Sequence, residues 1–92
     1  MTYRVELTAT VRQALVHLAP PIKQGIKEGL RYLARDPRVG EPLRRELTGS
    51  WKLRVGDFRI IYQIESQHRI VLIIAVGRRR HIYKTAQSIS HG

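Results

Sequence analysis

A two-layer α+β domain is what this 92-residue chain predicts: a helical hairpin packed on a twisted antiparallel sheet. Three observations lead there. A short alternating segment near the N-terminus is followed by two helical stretches, each apolar on one side. Two alternating runs then meet at Gly56-Asp57, and a continuous apolar run from Ile70 to Val76 comes after them. The resulting order is strand, helix, helix, then three or four antiparallel strands.

Each element has a local reason. Tyr3-Arg4-Val5-Glu6-Leu7 alternates with period two and reads as a short strand. Thr8 or Thr10 can cap the next helix, whose apolar positions Val11, Ala14, Leu15 and Leu18 share one face. Pro20-Pro21 ends it, and Pro21 suits the first turn of a second helix, where no N–H is needed. There Ile22, Ile26, Leu30, Leu33 and Ala34 line one side, with Lys23, Lys27, Arg31 and Arg35 on another. Gly25 and Gly29 each cost up to about 1 kcal/mol against Ala in a helix interior. Their four-residue spacing predicts close approach of the two helices. Asp36-Pro37 closes the second helix, and residues 38–50 connect it to the next pair of strands.

A hairpin across Gly56-Asp57 is the strongest local signal. With those two residues as the loop, Val55 faces Phe58, Leu53 faces Ile60 and Trp51 faces Tyr62. The other face carries Lys52, Arg54 and Arg59, with Arg54 opposite Arg59, and can lie open and basic. Like charges so placed destabilise a sheet by up to about 1 kcal/mol. A fold that keeps them offers them to an anion. Ser66-Gln67-His68 then turns the chain into the run Ile70 to Val76, which belongs in the middle of a covered sheet. A last short strand can include Arg78-Arg79-Arg80-His81-Ile82-Tyr83-Lys84. Residues 1–84 read as one domain and residues 85–92 as a polar tail.

Composition narrows the function. Seventeen Lys and Arg stand against seven Asp and Glu, a formal net charge of +10. Such an excess favours polyanionic partners: nucleic acid, an anionic surface or an acidic protein. With no cysteine, disulfides and thiolate metal sites are excluded. Met1 to Leu7 contains no apolar signal region, and the run Ile70 to Val76 is far too short to span a bilayer. A soluble, cytoplasmic protein without membrane attachment is the expectation.

The candidate chemistry comes from residue types. Lys52, Arg54 and Arg59 can grip phosphates, Arg in bidentate fashion and Lys as a point charge. His81 titrates near neutrality beside the basic run, and Glu41, between Gly40 and Pro42, is a candidate general base. Tyr83 reads either as a core aromatic or as a platform for stacking a base. Nucleophilic serine motifs, phosphate-cradling glycine loops, carboxylate clusters for Mg²⁺ and histidines at metal-ligand spacing are all missing, so no metal or cofactor is expected. A phosphodiesterase built this way would use the RNA's own 2′-OH. It would need a base for that proton, cations for the phosphorane charge and an acid for the leaving oxygen.

Several of these residues form a familiar series. Gly40-Glu41-Pro42-Leu43, then Leu47, Gly49, Trp51, Leu53-Arg54, Gly56-Asp57-Phe58-Arg59 and Ile61-Tyr62, then Val76-Gly77-Arg78-Arg79 and Tyr83, resembles the RelE/ParE superfamily of bacterial toxins. The resemblance covers residues from about 3 to 84. It implies a RelE-like fold and, for the RelE type, metal-free cleavage of messenger RNA in the ribosomal A site. The ParE type shares the fold and poisons DNA gyrase. The RelE-type site falls on Lys52, Arg54, Arg59, Arg79 and Tyr83. Arg59 and Lys52 would then stabilise the phosphate, Arg79 would serve as acid or charge stabiliser, and Tyr83 would stack on a base. Arg54 stands where a lysine is usual, and arginine holds its proton too tightly to be a good base. Two schemes therefore stay open: a basic cluster working with Tyr83, or Glu41 as base and His81 as acid. Arg44, Arg45, Lys52, Arg54, Arg78, Arg80 and Lys84 are the expected RNA contacts. The resemblance further implies a cognate antitoxin forming a hetero-oligomer with the toxin, and the ribosome with its messenger RNA as target. A gyrase inhibitor and a non-catalytic RNA binder are the competing readings.

Overall fold

The computed structural model describes residues 2–78. Its elements are β1 (Arg4–Leu7), α1 (Ala9–Val16), α2 (Pro20–Arg35), β2 (Glu41–Pro42), β3 (Ser50–Val55), β4 (Phe58–Glu65) and β5 (Ile70–Gly77). Single 3-10 turns at Pro37–Val39 and Arg45–Leu47 flank β2. Five strands make one sheet in the order β1-β5-β4-β3-β2, with both helices on one face.

Local chemistry sets the helix ends. The Val11 N–H donates to Thr8 Oγ1 at 3.2 Å, so Thr8 rather than Thr10 caps α1. Pro20 and Pro21 both sit in the first turn of α2, where their missing N–H groups cost nothing. At its other end the Asp36 N–H donates to the Tyr32 carbonyl at 2.9 Å, and Pro37 prevents continuation.

The hairpin register agrees with the sequence pair by pair: Trp51 with Tyr62, Leu53 with Ile60, Arg54 with Arg59, Val55 with Phe58. Gly56 carries φ +59° and Asp57 has no positive φ, the φ pattern of a II′ loop. A side chain at Gly56 would be strained by that φ.

Three sequence expectations need correction. The sheet is five-stranded and mixed rather than three- or four-stranded and antiparallel, because β1 pairs parallel with β5 (Arg4 with Ile70, Leu7 with Ile73). A helical crossover between parallel partners leaves no local turn signature. Two residues of the connector also join as β2, Glu41 opposite Lys52 and Pro42 opposite Trp51. Gly25 and Gly29, finally, approach the hairpin and not α1. A Cβ on Gly29 would meet Val55 at 3.0 Å and Ile60 at 3.2 Å. The last strand expected over residues 78–84 lies almost wholly outside the described residues.

The main core lies between helices and sheet, around Val11, Ile26, Leu33, Ile60, Tyr62, Val71 and Ile73, all fully buried. The other sheet face is only partly open. Ile61, Ile74 and Ala75 are buried there beneath Leu43 and Leu47 of the connector. Alternation lets β5 supply both layers, and a bulge puts the successive residues Ile74 and Ala75 in the outer one: Ile61 pairs with Ala75 and Tyr62 with Ile73, so Ile74 is the extra residue. The continuous apolar run is therefore a strand covered on both sides, as the sequence predicts.

Candidate active site on the outer sheet face

Alternation along β3 and β4 sends Lys52, Arg54 and Arg59 away from the helices, beside the patch that Leu43 and Leu47 cover. Two residues of β2 bring Glu41 to the same place, since Glu41 pairs directly with Lys52. Their charged ends, Glu41 Oε2 and Lys52 Nζ, are 4.0 Å apart. The Lys52 side chain keeps only 26% of its exposure, whereas Glu41 keeps 75%. Lysine is thus sheltered enough to act with force on an anion, and the carboxylate remains accessible to one. Glu41, Lys52 and Arg54 line one cleft of about 230 Å³ with Val39, Gly40 and Leu53. Arg54 and Arg59 extend the positive surface toward the hairpin loop.

A buried tyrosine holds the segment that delivers Glu41. Tyr62 Oη donates to the Pro37 carbonyl at 2.7 Å and accepts from the Gly40 N–H at 3.2 Å. Its ring stacks on Trp51, centroids 6.4 Å apart. Gly40 has no room for a side chain, because a Cβ would overlap the Lys52 carbonyl and the Tyr62 hydroxyl. Burial pushes the Tyr62 hydroxyl up to about 12, partly offset by the Gly40 N–H and assisted by the nearby Asp36 charge. It stays a neutral donor throughout the physiological range. The roles of Tyr62 and Gly40 escape sequence reading because their partners lie far along the chain. Gly40 beside a charged residue was the one available hint.

The remaining candidates divide between the connector, the helix side and the C-terminal end. Arg44 and Arg45 are exposed on the connector that crosses this face, Arg45 with φ +60°. Arg78 is carried to the helix side instead, its guanidinium 5.2 Å from the Phe58 ring centroid. It borders an apolar recess of about 300 Å³ between Pro21, Ile22 and the hairpin loop. Arg79, Arg80, His81, Tyr83 and Lys84 lie outside the described residues. Among the described residues the site thus gathers one carboxylate and three cations. That set suits holding an anion and moving a proton.

Comparison with known proteins places the chain in a family. Residues 5–83 match the family described as the ParE toxin of the type II toxin–antitoxin system parDE. Toxin RelG of Mycobacterium tuberculosis is 42% identical over 86 residues, covering 91% of this chain and 99% of that protein. Toxin RelE of the same organism is 36% identical, covering 89% and 87%. Among solved structures, the toxin–antitoxin complex RelBE2 from M. tuberculosis matches with a TM-score of 0.80 at 41% identity, over 86% of this chain and 93% of that one. A substituted Escherichia coli RelE in the free state matches at 0.81 over 97% and 98% of the two chains, a likeness of fold alone at 22% identity. With a family match over most of its length and two relatives above 30% identity, the chain belongs to the RelE/ParE superfamily and is a toxin of a type II toxin–antitoxin system.

Proposed function

We propose that this toxin is a ribosome-dependent endoribonuclease that cuts messenger RNA in the A site and so arrests translation. The observation that carries the reading is that Lys52, Arg54 and Arg59 share one sheet face, with Glu41 beside Lys52. In this scheme Glu41 takes the proton of a ribose 2′-OH, and the freed oxygen attacks the adjacent phosphorus. The 5′-oxygen leaves with a proton from an acid, leaving a 2′,3′-cyclic phosphate and a 5′-hydroxyl. Lys52 and the two arginines hold the phosphorane charge as it develops. His81 or Arg79 is the candidate acid, and Tyr83 the stacking platform. Of the two schemes the sequence leaves open, the one with Glu41 as base has the support of its pairing with Lys52. No step requires a metal or organic cofactor.

A cognate antitoxin is the proposed protein partner, since relatives of this fold are solved as RelB complexes. A cytoplasmic site of action goes with this function, and no helix among the described residues is long and apolar enough to cross a membrane.

Primer extension on a reporter message in a translating extract tests the proposal, with the protein and its Arg59→Ala variant. Expected are breaks at A-site codons that require translation and weaken about 10²- to 10³-fold in the variant. Uncut message overturns the reading. Inhibition of DNA gyrase, which the ParE-type resemblance implies, is the alternative reading, and intact message with cleaved chromosomal DNA would favour it.

A further inference from the structure

The cleft beside Glu41 is walled in part by an incomplete strand edge. The Leu43 N–H donates to the Ser50 carbonyl at 2.8 Å, so the backbone of β3 at Ser50 points toward β2. Backbone direction alternates along a strand, and the N–H and C=O of Lys52 and Arg54 point the same way. Those of Lys52 face Glu41, its partner in β2. Opposite Arg54 there is no strand. Counting back from Glu41, Val39 would be its partner, but Pro37–Val39 is a 3-10 turn. The Val39 N–H donates to the Asp36 carbonyl at 3.1 Å instead. Among the described residues none hydrogen-bonds to the Arg54 N–H or C=O. One donor and one acceptor thus stand side by side, unpaired, where Arg54 lines the cleft it shares with Glu41 and Lys52.

We propose that these two backbone groups of Arg54 hold the base edge of a nucleotide at the cut, as a subsite separate from the phosphate-holding side chains. The proposal rests on the nuclease reading of this cleft and adds base binding to it. Every base offers what the edge lacks. Adenine and cytosine present a ring-nitrogen acceptor beside an amino donor, and guanine and uracil present a ring N–H beside a carbonyl, all on the Watson–Crick edge. Val39 and Leu53 give the cleft apolar surface for a ring face, and a base held there keeps its ribose in the same cleft as Glu41.

An extended polypeptide is the other occupant a strand edge can take, through a row of main-chain hydrogen bonds. Here the row is one residue long. β2 covers Trp51 and Lys52 on one side of Arg54, and the chain turns at Gly56 on the other. Two hydrogen bonds are few for a strand and complete for a base, and a cleft of about 230 Å³ suits one base better than a chain. A subsite made of backbone accepts a base of any identity. It refuses a base that is already paired, because pairing uses the same edge.

The test compares Arg54→Pro with Arg54→Ala in the full chain. Both remove the guanidinium, but only proline also removes the N–H, and an outward-facing position on an edge tolerates it. The probes are a trinucleotide of 2′-deoxycytidine, which lacks the attacking hydroxyl, and the same trinucleotide with 3-deazacytosine, in which a C–H replaces the acceptor nitrogen. Arg54→Ala should bind the deaza probe about threefold to tenfold more weakly than the cytosine probe. Arg54→Pro should bind the two alike. A deaza penalty equal in both variants, or absent from both, overturns the subsite. Should proline unfold the hairpin, the Arg54 amide resonance of the unsubstituted protein decides. It should shift with the cytosine probe and not with the deaza probe; equal shifts, or none, overturn the proposal. A shift given only by a short peptide of alternating valine and glutamate overturns it in favour of a protein strand. No probe can be cut and no ribosome is present, so failure of messenger cleavage and failure of base binding are read independently.

Discussion

Tyr62 is the residue on which the site's geometry depends without its lining the cleft. Its hydroxyl satisfies two backbone groups of residues 37–40, and that segment places Glu41 opposite Lys52. Tyr62→Phe keeps the ring and its stacking on Trp51 but leaves a carbonyl and an N–H without that partner. A loss of about 1–3 kcal/mol is expected in denaturant unfolding. The same residue gives stability a pH signature. Because folding raises this hydroxyl from its ordinary 10 to about 12, its contribution is whole below pH 10 and fades as pH rises through 12. The native protein should lose more stability across that alkaline window than Tyr62→Phe does. At Glu41 the expectation is kinetic. Glu41→Gln should lower the rate of cleavage about 10²- to 10⁴-fold while the unfolding midpoint stays nearly fixed. An unaltered rate would remove Glu41 from the base role.

At the scale of elements, α2 and the β3–β4 hairpin meet through two glycines that behave differently on substitution. Gly25 has ordinary contact distance to Val55, 3.4 Å for an added Cβ. Gly25→Ala should therefore stabilise by up to about 1 kcal/mol, the gain in helix propensity. At Gly29 the added carbon would press on stiff Val55 and on fully buried Ile60 together. Gly29→Ala should cancel that gain and destabilise by about 1 kcal/mol or more. Thermal unfolding of the two variants side by side checks the contrast. Range along the chain explains why the sequence revealed some elements and not others. The hairpin was legible in full register because alternation and the Gly56 turn lie within a dozen residues. The glycine pair announced close packing, yet spacing along a helix carries no label for what packs against it. β2 was illegible because two residues have no periodicity, and its pairing depends on Tyr62 holding residues 37–40. Lys52, Arg54 and Arg59 were found because they obey the hairpin's alternation. The depth at which Lys52 sits was not, since Glu41 arrives from another segment.

Over the whole molecule, charge opposes compaction. Cations occupy both the outer sheet face and the outer face of α2, and the net charge is +10. Self-repulsion of this kind weakens as the Debye length falls to about 10 Å at 0.1 M salt. The thermal midpoint should therefore rise between low salt and that concentration, opposite to the fall expected of RNA affinity over the same range. A midpoint that falls with salt would mean that attractive pairs such as Arg4–Glu6 outweigh repulsion.

The parallel pairing of β1 with β5 has a consequence in time. Residue 4 leaves the ribosome that makes the chain well before residue 70, its sheet neighbour. β3 and β4 can close locally as soon as they emerge, but β1 must wait for nearly everything else. The hairpin that presents Arg54 and Arg59 can therefore form before the sheet that braces it is complete. A nascent toxin is exposed to the cell as an unfinished sheet until β5 arrives, and a partner that recognises the finished one meets it only once β1 and β5 have paired.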